Sequence, residues 1–264
     1  MRHNKLLDNL YIFLVLGFLF LPIIVIIIFS FNTSKLNIIF EGFTLQWYAS
    51  LFSNSALLEA LRNTLIVAGV STVLSTVIGT ISAYGLKVYD FKLKKLINEL
   101  IYIPVVLPDI VLGISLLCMY TLFKLELGML SLIIAHIVFS VPYVIVSVRS
   151  VLENIDPNLE KAASDLGASK WQTFTKITVP MLMPGIMSGA QLAFTLSMDD
   201  VVISYFTAGP SSTTLPLYIY SMIKTGITPD VNAMITIMLV VIFITLTAST
   251  LFSMRRISLE AKKR

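Results

Sequence analysis

Six stretches of this chain stay apolar for about 20 residues or more, the length an α-helix needs to cross a bilayer. They cover roughly 10–31, 63–86, 96–122, 127–148, 181–206 and 231–254. Lipid offers the backbone no hydrogen-bond partners, so runs of this length are expected as helices. The pattern therefore predicts an all-α, polytopic membrane protein with six transmembrane helices. Four parts follow: a first helix in 1–31, an extracytoplasmic loop in 32–60, a helical core in 61–254 containing a cytoplasmic loop at 151–180, and a basic cytoplasmic tail in 255–264. The first run follows Arg2 and Lys5 as a signal peptide would, but its apolar part is too long and no small-residue cleavage site follows it. It is expected to be retained.

Finer patterns say how the helices pack. Ala68, Thr72, Thr76 and Thr80 form one row at four-residue spacing in the second run, and Ser71, Ser75, Gly79 and Ala83 form another. Gly185 and Gly189 make a small-xxx-small pair in the fifth. Such rows let membrane helices approach closely. Pro104, Pro108 and Pro142 interrupt apolar runs and mark either static kinks or bends used in gating. His136 is expected to hydrogen-bond between helices, with proton carriage as the rival reading.

Composition agrees with a lipid-facing chain. Of 264 residues, 56% are hydrophobic and 13% charged, about half the charge of an ordinary soluble domain. The net charge of +4 does not indicate nucleic-acid binding, because the basic residues fall in short clusters between apolar runs. With the N-terminus inside, 15 of the 19 Lys and Arg lie on the cytoplasmic side, and Lys35, Arg62, Lys124 and Lys224 lie outside. Both termini are therefore expected to be cytoplasmic. Cys118 is the one cysteine, which excludes an intrachain disulfide and any cysteine metal cluster. No catalytic or metal-ligating constellation is present.

The segment 151–180 carries the most specific signal. Asp156 before Pro157 is a helix start, a side-chain cap followed by a proline at the first helical position. Gly167 suits a left-handed stop. Between them Leu159, Ala162, Ala163 and Leu166 share one shallow apolar face, with Glu160, Lys161 and Asp165 off it. Two alanines favour close docking into a protein groove over lying on a membrane. Lys161-Ala162-Ala163, Gly167, Ile177 and Val179-Pro180 resemble the Glu-Ala-Ala loop of type I ABC-importer permeases, with Lys161 standing where that motif has Glu and Val179 where it has Leu. Glu160, the neighbouring acid, points about 100° away on a helix. The resemblance implies a coupling helix seated in an ATP-binding subunit. No Gly-x-x-x-x-Gly-Lys-Ser/Thr phosphate loop occurs here, so ATP and Mg are expected on a separate ATPase and no cofactor on this chain.

Downstream, 194–204 (Phe-Thr-Leu-Ser-Met-Asp-Asp-Val-Val-Ile-Ser), 207–210, 215–222 and 229–233 resemble the spermidine/putrescine permeases. That family implies import of polyamines across a prokaryotic plasma membrane, by a heterodimer with a homologous second permease, two ATP-binding subunits and an extracytoplasmic polyamine-binding protein. Asp199 and Asp200 in the fifth run and Asp109 in the third are its candidate substrate-path acids, since intramembrane carboxylates are expensive and commonly face a pathway. Helical rise puts Asp199 about 28 Å past Pro180 and Asp109 about 20 Å past residue 96, so both belong near the outer half. The rival reading is a cap on a broken helix or a pair with a partner's base. Tyr205 and Trp47 are candidates for cation–π contact; Trp47, with Tyr48, also suits the interfacial aromatic belt. An ABC permease for iron, thiamine or phosphonate, or a secondary carrier, is the alternative function.

Overall fold

The computed structural model of the protein describes residues 5–35, 38–156, 158–223 and 226–261. Arg2, Pro157, Lys224 and the tail residues Lys262, Lys263 and Arg264 lie outside them. Helices follow one another as α1 (Lys5–Phe29), α2 (Gln46–Ser50), α3 (Ser55–Val88), α4 (Lys94–Leu100), α5 (Ile103–Val106), α6 (Asp109–Leu122), α7 (Met129–Leu152), α8 (Asn158–Asp165), α9 (Lys170–Thr173), α10 (Val179–Asp199), α11 (Val202–Thr207), α12 (Leu215–Ser221) and α13 (Pro229–Ala261). Among the described residues there is no strand, only an isolated antiparallel bridge between Asn32 and Phe43.

Among the described residues, four helical stretches are long and apolar enough to span a membrane: Asn9–Phe29, Ser55–Val88, Met129–Leu152 and Lys170–Asp199. The run expected as one helix over 96–122 is not straight. It is broken between α5 and α6, where the chain direction bends by 113°. The break falls at Leu107–Pro108, both with extended backbone. Proline disfavours a helical conformation in the residue before it and has no N–H to continue the ladder. The run expected over 181–206 is also interrupted, because α10 stops at Asp199 and Asp200 is extended. α13 is apolar over Pro229–Ile244 and stays helical into the basic tail, to Ala261.

The chain forms two compact units, Met1–Leu58 with Ser221–Arg264, and Glu59–Tyr220. In the first, α13 packs on α1 and α2. Its loop is tied by side chains: Asn32 donates to the Ile39 carbonyl at 2.7 Å and accepts from the Glu41 amide at 2.9 Å. Phe31 stacks on Phe43, and Asn54 donates to Asp230 at 2.6 Å.

In the second unit α7 is the central element. Ala83, Val144, Ile145, Val148, Leu152, Leu182 and Ala193 form one buried cluster around it, and Leu112, Leu116, Tyr120, Ala135, Phe139 and Ile203 form another. At the small-residue rows neighbours come close. A Cβ on Gly79 would meet the Val144 side chain at 2.6 Å, and one on Gly185 would lie 2.9 Å from the Ser147 carbonyl oxygen. Membrane helices associate through packing rather than hydrophobic driving force, so this approach contributes directly to stability. Gly185→Ala is expected to destabilise the unit by about 1–3 kcal/mol through overpacking against backbone. Gly69→Ala, where nothing lies within 4 Å, is the neutral control. Thermal denaturation of the detergent-extracted protein distinguishes them.

Candidate functional site

Two regions carry the predicted chemistry, and both belong to the second unit. The first lies where α6, α10 and α11 are broken. Asp109 opens α6, whose N-terminal amides favour a negative charge. Asp199 closes α10, where the last carbonyls disfavour one. The Asp109 and Asp200 carboxylates both lie within electrostatic reach of Asp199, so the structure brings the three acids together. Asp109 and Asp199 are exposed, and among the described residues no cation lies within ion-pair distance of either.

Asp200 is different. Its carboxylate accepts the Ile203 amide at 3.1 Å, the Ser204 amide at 2.7 Å and the Ser204 hydroxyl at 2.7 Å. These bonds cap α11, as an N-cap acid does, and the side chain is only 7% exposed. Asp200 is thus engaged at the start of α11, while Asp199 is exposed. Tyr205 projects from α11, 61% exposed, with its ring edge-to-face on Phe206.

Asp200 belongs to a buried polar chain whose connections the sequence does not show. His136 of α7 is completely buried. Its Nδ1 pairs with the Ser197 hydroxyl at 2.6 Å and its Nε2 with the Ser204 hydroxyl at 3.2 Å. Nε2 is also 3.6 Å from Asp200 Oδ2, and Ser197 touches the Ser71 hydroxyl at 3.3 Å. His136 thus hydrogen-bonds between helices, as expected. Ser197 and Ser204 flank Asp200 at three and four residues, a pattern visible in the sequence, but their common partner lies more than 60 positions away.

Trp47 belongs to the first unit. Its indole N–H donates to the Asn32 carbonyl at 2.6 Å, and Tyr48 shares a 2.7 Å hydrogen bond with Ser30. Both aromatic residues therefore hold their own loop, with the Trp47 ring half-buried.

The second region is the loop around α8. The Asp156 side chain accepts the Asn158 amide at 2.9 Å, which starts the helix. Gly167 has φ +85°, and the Ala168 and Gly167 amides return to the Ala163 and Ser164 carbonyls at 3.0 and 2.9 Å. That is a Schellman stop. Ser169 and Gln172 then form a reciprocal capping box that starts α9. A π turn, Phe174–Thr178, leads into α10. It precedes Pro180, whose ring displaces the carbonyl four residues back and widens the helix.

Of the apolar face of α8 only Ala163 is buried. Ala162 is exposed, Leu159 is 40% exposed and Leu166 89%. Lys161 also faces outward. Glu160 turns inward instead: the buried Thr178 hydroxyl donates to it at 3.0 Å, and the Tyr84 phenol of α3 lies against it. The acid beside the motif position thus fastens α8 to its own chain.

Fold and motif define the membrane-embedded part of a solute transporter. Residues 75–262 match the family of binding-protein-dependent transport system inner membrane components, and the chain belongs to that family. It is 42% identical over 250 residues to the spermidine/putrescine transport system permease protein PotC of Escherichia coli K12, covering 95% of each chain. It is 38% identical to the E. coli K12 putrescine transport system permease protein PotI, covering 86% of this chain and 84% of that one. Among solved structures, a bacterial ABC transporter importing the acidic polysaccharide alginate superposes with TM-score 0.71 at 19% identity, covering 94% of this chain and 93% of that one. The MetNI methionine ABC transporter gives 0.58 at 16% identity, covering 78% and 95%. Both share the fold.

Proposed function

We propose that this chain is the permease subunit of an ATP-driven polyamine importer, and that Asp109, Asp199 and Asp200 line its path. The observation that carries this reading is the gathering of three carboxylates beside broken helices without a partner cation for Asp109 or Asp199. Charges at membrane depth are retained where they serve a pathway. A polyamine is a flexible chain of ammonium groups spaced by methylenes, and it supplies several cations to several acids at once. Tyr205, in the same unit, is exposed and offers its ring for cation–π contact. The names of the relatives agree with this cargo.

The remaining parts follow from the same reading. The bent pair α4–α6 counts as one span and α13 as another, giving six with the four long helices. Both termini then lie in the cytoplasm of a prokaryotic cell. The chain pairs with a homologous permease, two ATP-binding subunits and an extracytoplasmic polyamine-binding protein. ATP and Mg reside on the ATPases, so this chain itself catalyses no reaction. Closure of the ATPases moves α8, and the Glu160 contacts to Thr178 and Tyr84 pass that movement to α10 and α3 as a rigid-body shift.

The test is uptake of labelled spermidine in cells carrying the whole transporter, with and without this chain. Loss of uptake without the chain, with competition by putrescine and not by thiamine, phosphonate or ferric iron, is the expected result. Spermidine uptake indifferent to the chain refutes the cargo.

A further inference from the structure

We infer that His136 is a positioning residue for transport: through an Nε2–H donated to Ser204, it fixes Asp200 and the junction between α10 and α11 that presents Asp199. This rests on the polyamine reading above for its transport readout, and on geometry alone for the rest.

The donor order follows from chemistry. An ionised carboxylate only accepts hydrogen bonds, so the 2.7 Å contact between Ser204 Oγ and Asp200 Oδ2 uses the one hydroxyl proton of Ser204. Ser204 Oγ must then accept at its 3.2 Å contact with His136 Nε2. The proton on that ring nitrogen is therefore assigned to the Ser204 contact, with Asp200 Oδ2 3.6 Å from the same nitrogen. On the other side Nδ1 holds Ser197, the residue two before Asp199, at 2.6 Å. The ring thus grips one residue on each side of the break. Ser71 extends the grip to α3, so three helices and the short α11 meet at one imidazole.

The consequence concerns the order of α11. That helix is six residues long, too short to be stable alone. Its first turn hangs on Asp200, and Asp200 depends on Ser204 and His136 for its orientation in a buried place. Networks of this kind hold a unique arrangement when every member is satisfied. Removing the Nε2 donor takes away the bond that ties Ser204, and through it Asp200, to α7, and loosens the junction that carries Asp199.

The experiment uses the complete transporter, with its partner permease, ATPases and binding protein, in proteoliposomes. His136→Phe keeps the ring shape and removes both hydrogen bonds; His136→Gln restores a donor near Nε2. His136→Phe is expected to raise the KM for spermidine at least tenfold with normal complex yield, and His136→Gln to recover it to within about threefold. In an Asp200→Asn background His136→Phe should add less than twofold, because the histidine acts through that acid. Backbone amide exchange at residues 201–207 should accelerate in His136→Phe, a readout that needs no transport. Should His136→Phe not assemble, Ser204→Ala takes its place in the same cycle. Unchanged exchange at 201–207, uptake within twofold of the parent, or multiplicative losses with Asp200→Asn would each overturn the proposal. Parent complexes that show no spermidine uptake refute the cargo instead, and the exchange measurement still decides the role of His136.

Discussion

Asp199→Asn is expected to cut spermidine uptake by about tenfold to a hundredfold while the complex assembles in normal amount. A hydrogen bond to a charged group contributes roughly 1.5–3 kcal/mol, and 1.4 kcal/mol is a factor of ten in affinity. The side chain is exposed, and it sits at a helix end that disfavours its charge beside two further acids. Nothing in the fold requires an anion there. Neutralising it should spare or even favour folding, so the loss is specific to the cargo. Asp200→Asn is the instructive contrast: its carboxylate caps α11, and its loss should lower stability and uptake together. The double variant should abolish uptake. Initial rates over a range of spermidine concentrations, set against complex recovered by affinity purification, separate the two effects. Full uptake by Asp199→Asn would remove this residue from the path.

Leu166→Asp is expected to strip the ATPases from an otherwise intact membrane assembly. Leu166 is 89% exposed in the chain, so the substitution costs the permease fold little. Docked in an apolar cleft, however, the leucine contributes about 1.5–3 kcal/mol, and an aspartate in its place adds the cost of desolvating a charge. Copurification of the ATPase should fall by at least tenfold, and uptake with it, while recovery of the two permeases stays constant. Leu166→Met, of similar volume, should be nearly silent. Retained ATPase in Leu166→Asp would mean that α8 docks by another face.

Length and hydropathy made the spanning helices legible, because lipid leaves the backbone few options. The ends of α8 were legible for a different reason: Asp156 and Gly167 are local signals, and each does locally what its chemistry dictates. Pro108 and the capping alternative at Asp199 and Asp200 signalled interruptions, but an apolar count is blind to direction, so the 113° bend before α6 was not legible. Pro108 followed by Asp109 carries nearly the signature of Asp156 followed by Pro157, an acid and a proline at a helix start, yet it lies inside an apolar run. The role of Glu160 was hidden too. Its partners Thr178 and Tyr84 are 18 and 76 positions away, and only the tertiary fold places them beside it. The acids were found because charge inside an apolar run is conspicuous; the hydroxyls that orient Asp200 are not, because serine is common in membrane helices.

The most direct test of the account is ATP-driven accumulation of labelled spermidine in proteoliposomes containing the complete transporter, comparing the parent chain with Asp199→Asn at equal complex content. Accumulation by the parent that requires ATP and the binding protein, and a tenfold or greater rise in KM in the variant, is the predicted result. Equal accumulation by both, or none by the parent while another solute is carried, would contradict it.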